Sequence, residues 1–83
     1  MSSNLTTGLN VGERVKFLRE RKRKTQREMG ADFGCSYMFI YRLERNKGMT
    51  LSMAKKLCEY FHVSLNYLAY GDDQNPPYVR AQD

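Results

Sequence analysis

The chain has 83 residues, of which 41% are hydrophobic and 28% are charged, and its formal net charge is +5. This composition is typical of one small soluble domain, and no segment approaches the roughly 20 consecutive apolar residues of a membrane span. Two cysteines without metal-binding spacing, a single histidine and the lack of a glycine-rich phosphate loop argue against a zinc site, an enzyme and a bound cofactor.

The chain is predicted to begin with a flexible segment and a first helix. Residues 1–9 are rich in Ser, Thr, Asn and Gly, a composition that favours flexibility. Asn10 can cap the helix that follows, and Glu13 stands three places on, which completes a capping box. Val11 and Val15 are spaced four residues apart on one face, so we expect them to pack inward.

Two short helices joined by a tight turn come next. Thr25 and Glu28 form a second capping box, which predicts that a helix begins at Gln26. Gly34 stands where the chain must leave this helix, in a left-handed conformation that glycine adopts without steric penalty. Ser36 can cap the helix after the turn. This arrangement is typical of a helix-turn-helix, whose second helix enters the major groove of DNA.

The third helix is predicted over residues 37–45 and has an unusually apolar exposed side. Ile40 and Leu43 point inward, and the residues left facing out are Tyr37, Met38, Tyr41 and Arg42. An exposed arginine can donate two hydrogen bonds to guanine, and apolar side chains suit the methyl group of thymine. The alternative is that part of this apolar surface belongs to the core or contacts another protein.

Two further helices and a tail complete the prediction. Thr50 can cap a fourth helix, and Ser64 can cap a short fifth helix that Gly71 ends. Residues 72–83 contain two prolines and are predicted to form a non-helical C-terminal tail. Because no strand-like alternation occurs, the sequence predicts an all-α, five-helix domain over residues 10–71.

The order and spacing of these elements resemble the lambda-repressor-like (Cro/xenobiotic-response-element) helix-turn-helix family of DNA-binding proteins over roughly residues 11–71. The resemblance is carried by Gln26, Gly34, Ile40, the Leu-Glu-Arg run at 43–45 and the closing VSLNYLAYG. The chain departs from the family pattern at four places. They are Arg23–Lys24 in place of a Gly-apolar pair, Gly30 in place of Ala, and Asn46 and His62 in place of Gly.

The resemblance implies roles for individual residues. The base-reading residues would be Tyr37, Met38, Tyr41 and Arg42. A phosphate contact is implied for Gln26, and from their positions beside the second and third helices we also expect phosphate contacts from Arg27, Ser36, Arg45, Asn46 and Lys47. A partly buried ion pair is further implied between Arg19 and Glu44. For Ser36 the alternative is a plain helix cap, and for Arg45 and Lys47 it is a solvated charge.

The distribution of charge agrees with these roles. Residues 1–47 contain eleven Lys or Arg and five acids, whereas residues 48–83 contain three Lys or Arg and four acids. The positive field therefore falls on the half that carries the helix-turn-helix, as a polyanion-binding face requires. A merely solvated charged surface is the alternative.

We therefore expect a transcription regulator, a repressor or controller protein, that binds a palindromic operator in double-stranded DNA as a homodimer. The resemblance implies a cytoplasmic protein on the nucleoid of a bacterium or phage-infected cell. The candidates for the dimer interface are Tyr67, Leu68, Tyr70 and the loop before the fourth helix, although ordinary core packing explains Leu68 equally well. The alternative function is an antitoxin-like or regulator-binding interaction module, in which the aromatic third helix docks into a groove of a partner protein.

Overall fold

The computed structural model describes residues 9–71, which form five α-helices. The helices are Val11–Arg21 (α1), Gln26–Phe33 (α2), Tyr37–Glu44 (α3), Leu51–Phe61 (α4) and Leu65–Tyr70 (α5). No strand occurs within residues 9–71, and the predicted all-α, five-helix class is confirmed. The predicted C-terminal tail and all but the last residue of the predicted N-terminal segment lie outside the described residues.

Side-chain caps begin four of the five helices. At α1, Asn10 Oδ1 accepts a hydrogen bond from the Glu13 N–H at 2.9 Å, and the Glu13 carboxylate accepts one from the Asn10 N–H at 3.0 Å. At α2, Thr25 and Glu28 make the equivalent two bonds at 3.0 and 2.9 Å. Both predicted capping boxes are therefore confirmed, and each satisfies amide groups that the first helical turn leaves without partners.

The helix α3 begins without the predicted side-chain cap. Ser36 occupies the N-cap position, but its side chain makes no hydrogen bond to the helix. The amide that its hydroxyl would cap belongs to Phe39, and this N–H donates instead to the backbone carbonyl of Ser36 at 3.1 Å. The prediction that the Ser36 side chain caps α3 is wrong because the backbone already uses that donor.

The turn between α2 and α3 is held by the backbone. Gly34 has φ 74°, the left-handed conformation predicted for it, and the Cys35 N–H donates to the Gly30 carbonyl at 2.8 Å. A Cβ atom added to Gly30 would lie 2.9 Å from the Cys35 carbonyl oxygen, closer than real Cβ contacts come. The absence of a side chain at position 30 therefore lets the turn fold back against α2.

The core lies where the five helices meet. Its buried hydrophobic side chains are Val15, Met29, Ile40, Leu43, Ala54, Leu57 and Leu68. The backbones of α1 and α3 approach most closely at Gly12, where an added Cβ would stand 2.5 Å from the Glu44 carbonyl oxygen. The C-terminal end of α3 is thus fixed directly against the first turn of α1.

A charged side chain lies inside this core between α1 and α5. Arg14 is 1% exposed, and its guanidinium donates to the Leu68 carbonyl at 2.6 Å and to the Leu9 carbonyl. Burial lowers the pKa of Arg14, and an interaction with Tyr67 raises it. The hydrogen bonds to two backbone carbonyls offset part of the cost of removing this charge from water.

Within residues 9–71, three residues other than glycine have left-handed backbones. Arg23, Asn46 and His62 have φ values of 61°, 63° and 59°. The resemblance implies glycine at each of these positions, as a left-handed backbone favours. Asn46 differs from the other two because its side-chain oxygen accepts a hydrogen bond from the Gly12 N–H at 2.7 Å.

Tyr60 links the C-terminal part of α4 to α2. Its hydroxyl donates to Asp32 at 2.5 Å, and its ring lies 4.8 Å from that of Phe33 in an edge-to-face arrangement. Lys24 Nζ lies 3.2 Å from the Asp32 carboxylate, and Lys22 Nζ lies 4.9 Å from the centroid of the Tyr60 ring. Two lysines of the basic run before α2 therefore contact the α2–α4 junction.

Replacing His62 with glycine should stabilise the protein. A left-handed backbone costs a residue with a Cβ about 1–2 kcal/mol, and glycine avoids this cost. Because glycine also makes the unfolded chain more flexible, we expect the free energy of unfolding to rise by only up to about 1 kcal/mol. Asn46→Gly is the matched control, and it should lower stability because it removes the bond to Gly12. Urea denaturation monitored by circular dichroism measures both, and a stability loss in His62→Gly would contradict the expectation.

The contribution of Tyr60 to stability should depend on pH. Its hydrogen bond to Asp32 is the largest cause that lowers the pKa of this carboxyl below its ordinary value of 3.8, followed by the bond from Lys24. A lowered folded-state pKa stabilises the fold above pH 3.8, and this stabilisation is lost as the pH falls through the folded-state value.

Tyr60→Phe keeps the ring and removes the hydroxyl. We expect the difference in melting temperature between wild type and Tyr60→Phe to be larger at about pH 6 than at about pH 2.5. Differential scanning calorimetry at both pH values tests this. An equal difference at the two pH values would mean that the ionised carboxylate is not the source of the stabilisation.

Candidate nucleic-acid interface

The exposed side of α3 carries a tyrosine, a methionine, a second tyrosine and an arginine. Tyr37, Met38 and Tyr41 are 38%, 47% and 42% exposed, and Arg42 is exposed beside them. The opposite side of the helix holds the fully buried Ile40. The helix therefore projects the four predicted base-reading residues into solvent while its other face secures it in the core.

Two grooves flank this exposed side. The apolar groove has a volume of about 330 Å³ and is lined by Met38, Phe39, Tyr41, Arg42, Arg45, Lys47 and Gly48. The polar groove has a volume of about 630 Å³ and is lined by Asn10, Glu13, Lys16, Arg19, Gln26, Tyr41, Glu44, Arg45, Asn46 and Lys47. Tyr41, Arg45 and Lys47 line both grooves, so they form the ridge that separates them.

Arginines cover the rings of both exposed tyrosines. The guanidinium carbon of Arg27, near the start of α2, lies 4.4 Å from the centroid of the Tyr37 ring. The guanidinium carbon of Arg45, directly after α3, lies 5.4 Å from the centroid of the Tyr41 ring. Both distances fall within the range of cation–π contacts. One arginine thus lies near each end of α3.

A carboxylate at the end of α3 joins three helices. Arg19 Nε donates to Glu44 Oε2 at 2.6 Å, and the two side chains are 10% and 5% exposed. Gln26 Nε2 donates to Glu44 Oε1 at 3.0 Å, and Arg19 also donates to the Lys24 carbonyl at 2.8 Å. The structure therefore contains the ion pair that the resemblance implies, and it adds Gln26 to the same carboxylate.

A family model described as helix-turn-helix matches residues 15–68, which is more than half of the chain. The chain belongs to the lambda-repressor-like, Cro/C1-type helix-turn-helix family. This is a DNA-binding family, and its domain indicates a DNA-binding transcription regulator. Neither the curated proteins nor the solved structures include a significant match to the chain.

Cations lie on both sides of the recognition helix of this helix-turn-helix domain. Arg27 and the exposed Ser36 lie near the N-termini of α2 and α3, and Arg45 and Lys47 follow the end of α3. Lys16 of α1 lines the polar groove with Arg45 and Lys47, and sequence reasoning missed it. The available signal was its position one turn before Arg19 in the basic half of the chain.

The structure also separates the phosphate candidates by what their side chains already do. Gln26 uses its amide nitrogen as a donor to Glu44, and Asn46 uses its amide oxygen as an acceptor from the Gly12 N–H. The guanidinium groups of Arg27 and Arg45 lie over rings, a contact that leaves the N–H donors pointing away from the ring available. The arginines are thus better suited than Gln26 to bind phosphate, whereas Asn46 keeps both N–H donors of its amide group.

The dimer candidates of the helix-turn-helix domain divide into exposed and buried residues. Tyr70 is 69% exposed, and Tyr67 is half-buried at the same end of the domain. Leu68 is 1% exposed, and its side chain packs in the core. Of the two interpretations of Leu68, the structure therefore agrees with core packing, because the side chain already packs within the monomer.

The cysteines do not form an activated site. Burial is the first cause that raises the pKa of both Cys35 and Cys58 above the ordinary value of a thiol, and both are free. Within residues 9–71, no group of three or more His, Cys, Asp or Glu side chains is arranged to hold a metal ion. None of the helices in this part of the chain has the length and apolar character needed to cross a membrane.

Removing Arg19 should destabilise the helix-turn-helix domain. Arg19→Ala leaves the carboxylate of Glu44 buried without its cation, which costs about 3–5 kcal/mol in such pairs. The double variant Arg19→Met, Glu44→Leu should recover most of this loss because it removes both charges. Urea denaturation of both variants measures the difference. A loss below about 1 kcal/mol in Arg19→Ala would show that the pair contributes as little as a surface ion pair.

Proposed function

We propose that this protein is a sequence-specific transcription regulator that binds a palindromic DNA operator as a homodimer and acts as a repressor or controller protein. The observation that carries the proposal is the exposed side of α3, which projects between two grooves and has cations on both flanks. An α-helix with this distribution of groups fits the major groove, whose two edges carry phosphates. The proposed location is the nucleoid of a bacterium or phage-infected cell.

Base reading is assigned to the exposed residues of α3. Arg42 can donate two hydrogen bonds to guanine, a contact worth about 1–3 kcal/mol of discrimination between bases. Met38 lies one turn before Arg42 and offers apolar contact that suits thymine methyl groups. Tyr37 and Tyr41 are about two-fifths exposed, so their hydroxyls are also available to groups in the DNA major groove.

Phosphate binding is assigned to the flanks of α3. On one side, Gln26, Arg27 and Ser36 lie where the N-termini of α2 and α3 offer amide donors and a favourable helix dipole. On the other side, the candidates are Arg45, Asn46 and Lys47. Lys16, which lines the polar groove, is added to this set.

Dimerisation is proposed because one recognition helix reads only a few base pairs. A two-fold dimer places two such helices about 34 Å apart, one turn of duplex DNA. Tyr70 and Tyr67 are the proposed interface residues, now without Leu68. A tyrosine that is 69% exposed leaves a large apolar ring in water, which an interface would cover.

The second candidate is a protein-interaction module. The observation that favours it is the apolar groove together with the exposed Tyr37, Met38 and Tyr41, a surface that an apolar partner could also cover. The salt dependence of the binding affinity distinguishes the two functions. DNA binding weakens steeply as the salt concentration increases, whereas the affinity of an apolar protein contact barely changes.

Selection from a random duplex library, with purified protein at low and near-physiological salt, tests the proposed function. A palindromic motif that persists at the higher salt, with two chains bound per duplex in analytical ultracentrifugation, is the expected result. Enrichment of no motif, with all binding lost at the higher salt, would contradict it. The search would then move to a protein partner.

Arg42 and Lys47 should respond differently to truncation. Arg42→Ala should relax specificity at one operator position, since it removes a base contact. Lys47→Ala should weaken all duplexes alike and reduce the slope of log affinity against log salt by about one. Fluorescence anisotropy on the selected operator and its single-base variants measures both. An unchanged sequence preference in Arg42→Ala would contradict its role in base reading. An altered preference in Lys47→Ala would contradict its role in phosphate binding.

A further inference from the structure

The two exposed tyrosines of α3 each have an arginine over one ring face. The distances from guanidinium carbon to ring centroid are 4.4 Å for Arg27 on Tyr37 and 5.4 Å for Arg45 on Tyr41. Tyr37, Tyr41 and Arg45 are spaced four residues apart, so they lie in one line along the helix. The line runs from the N-terminus of α3 to its C-cap.

The contact with a ring leaves each arginine able to bind an anion. A guanidinium has five N–H donors, so one that lies over a ring keeps donors that point away from it, and it is weakly hydrated compared with an ammonium group. The ring also restricts the long arginine side chain before any ligand arrives. Less rotamer freedom is then lost when the guanidinium binds a phosphate, which strengthens binding without a new contact.

We propose that Tyr37 and Tyr41 are positioning residues, which hold Arg27 and Arg45 at the two ends of α3 in the orientation that binds DNA phosphates. This inference rests on the proposed function. The tyrosine rings then act through the arginines and not by stacking on bases or by apolar contact with them. Their effect on affinity should therefore be the same for every DNA sequence.

The chain contains a matched control on α1. Arg21 lies 5.5 Å from the ring centroid of Phe17, at the same four-residue spacing as the Tyr41–Arg45 pair. Neither Phe17 nor Arg21 lines the two grooves beside α3. Phe17→Leu therefore removes an equivalent stack at a position that the inference gives no part in DNA binding.

The stacks can be tested first in the free protein. The δ-protons of an arginine above a ring are shifted upfield in the NMR spectrum by the ring current. Tyr37→Leu should move the Arg27 δ-protons downfield and leave those of Arg45 unchanged, and Tyr41→Leu should do the reverse. Unchanged arginine shifts in both variants would overturn the inference without any DNA measurement.

A double-mutant cycle then tests the role in binding, on the selected operator and on a random duplex. Tyr37→Leu should weaken both affinities by about two- to fivefold, the effect of an exposed cation–π contact. In an Arg27→Ala background, Tyr37→Leu should cause no further loss. The same pattern is expected for Tyr41→Leu with Arg45→Ala, and urea denaturation verifies that each variant is folded.

Conservative variants separate positioning from direct contact. Tyr37→Phe and Tyr41→Phe should keep the full coupling to Arg27 and Arg45 in the cycle because the rings remain, whereas Arg27→Lys should lose the coupling to Tyr37 because an ammonium group lacks the planar guanidinium face. Additive losses in the cycle, a loss restricted to the operator, or an equal loss in Phe17→Leu would overturn the inference. Failure of wild type to bind any duplex would instead contradict the proposed function.

Discussion

The carboxylate of Glu44 is the constraint on which the geometry of the site depends. It accepts hydrogen bonds from Arg19 of α1 and Gln26 of α2, while its own backbone carbonyl lies against Gly12. The end of the recognition helix is thereby held to both helices that support it. The ion pair of Arg19 and Glu44 is largely excluded from water. In such pairs, removing one partner lowers the free energy of unfolding by much more than the intact pair adds to it relative to two apolar residues. The pair thus fixes geometry more than it adds stability.

Different positions on the exposed side of α3 border different grooves. Tyr41, Arg45 and Lys47 form a ridge that borders both grooves, whereas Met38 and Arg42 lie on the apolar groove alone. The groups proposed to bind phosphates and the groups proposed to read bases thus lie next to each other along and directly after α3. The covered tyrosine rings explain how an unusually apolar helix can belong to a cationic surface.

Sequence reasoning predicted the helices well because their ends are set by local chemistry. Asn10, Thr25 and Gly34 each act through bonds or backbone angles within a few residues, and such signals are readable from spacing. The ion pair of Arg19 with Glu44 was available only through family resemblance, since 25 residues separate its partners.

The errors and omissions arose where tertiary packing decides the outcome. Arg14 lies one turn beyond Val11 on the apolar face and is 1% exposed. Sequence alone does not predict that a charged residue is buried there, because its partners are the carbonyls of Leu9 and Leu68, which only the folded chain brings together. Leu68 was equally compatible with core and interface, and only the packed structure distinguishes them. The predicted cap at Ser36 is absent, and the Phe39 amide donates to the backbone carbonyl of Ser36 instead.

The separation of α3 into a buried face and an exposed face has an evolutionary consequence. Met38 and Arg42 do not belong to the core cluster or to the residues packed against it. Substitutions at these two proposed base-reading positions therefore leave the core packing unchanged, so the target site proposed for α3 can change without a compensating gain in stability. Domains of this kind can then differ in recognition while they retain the same scaffold.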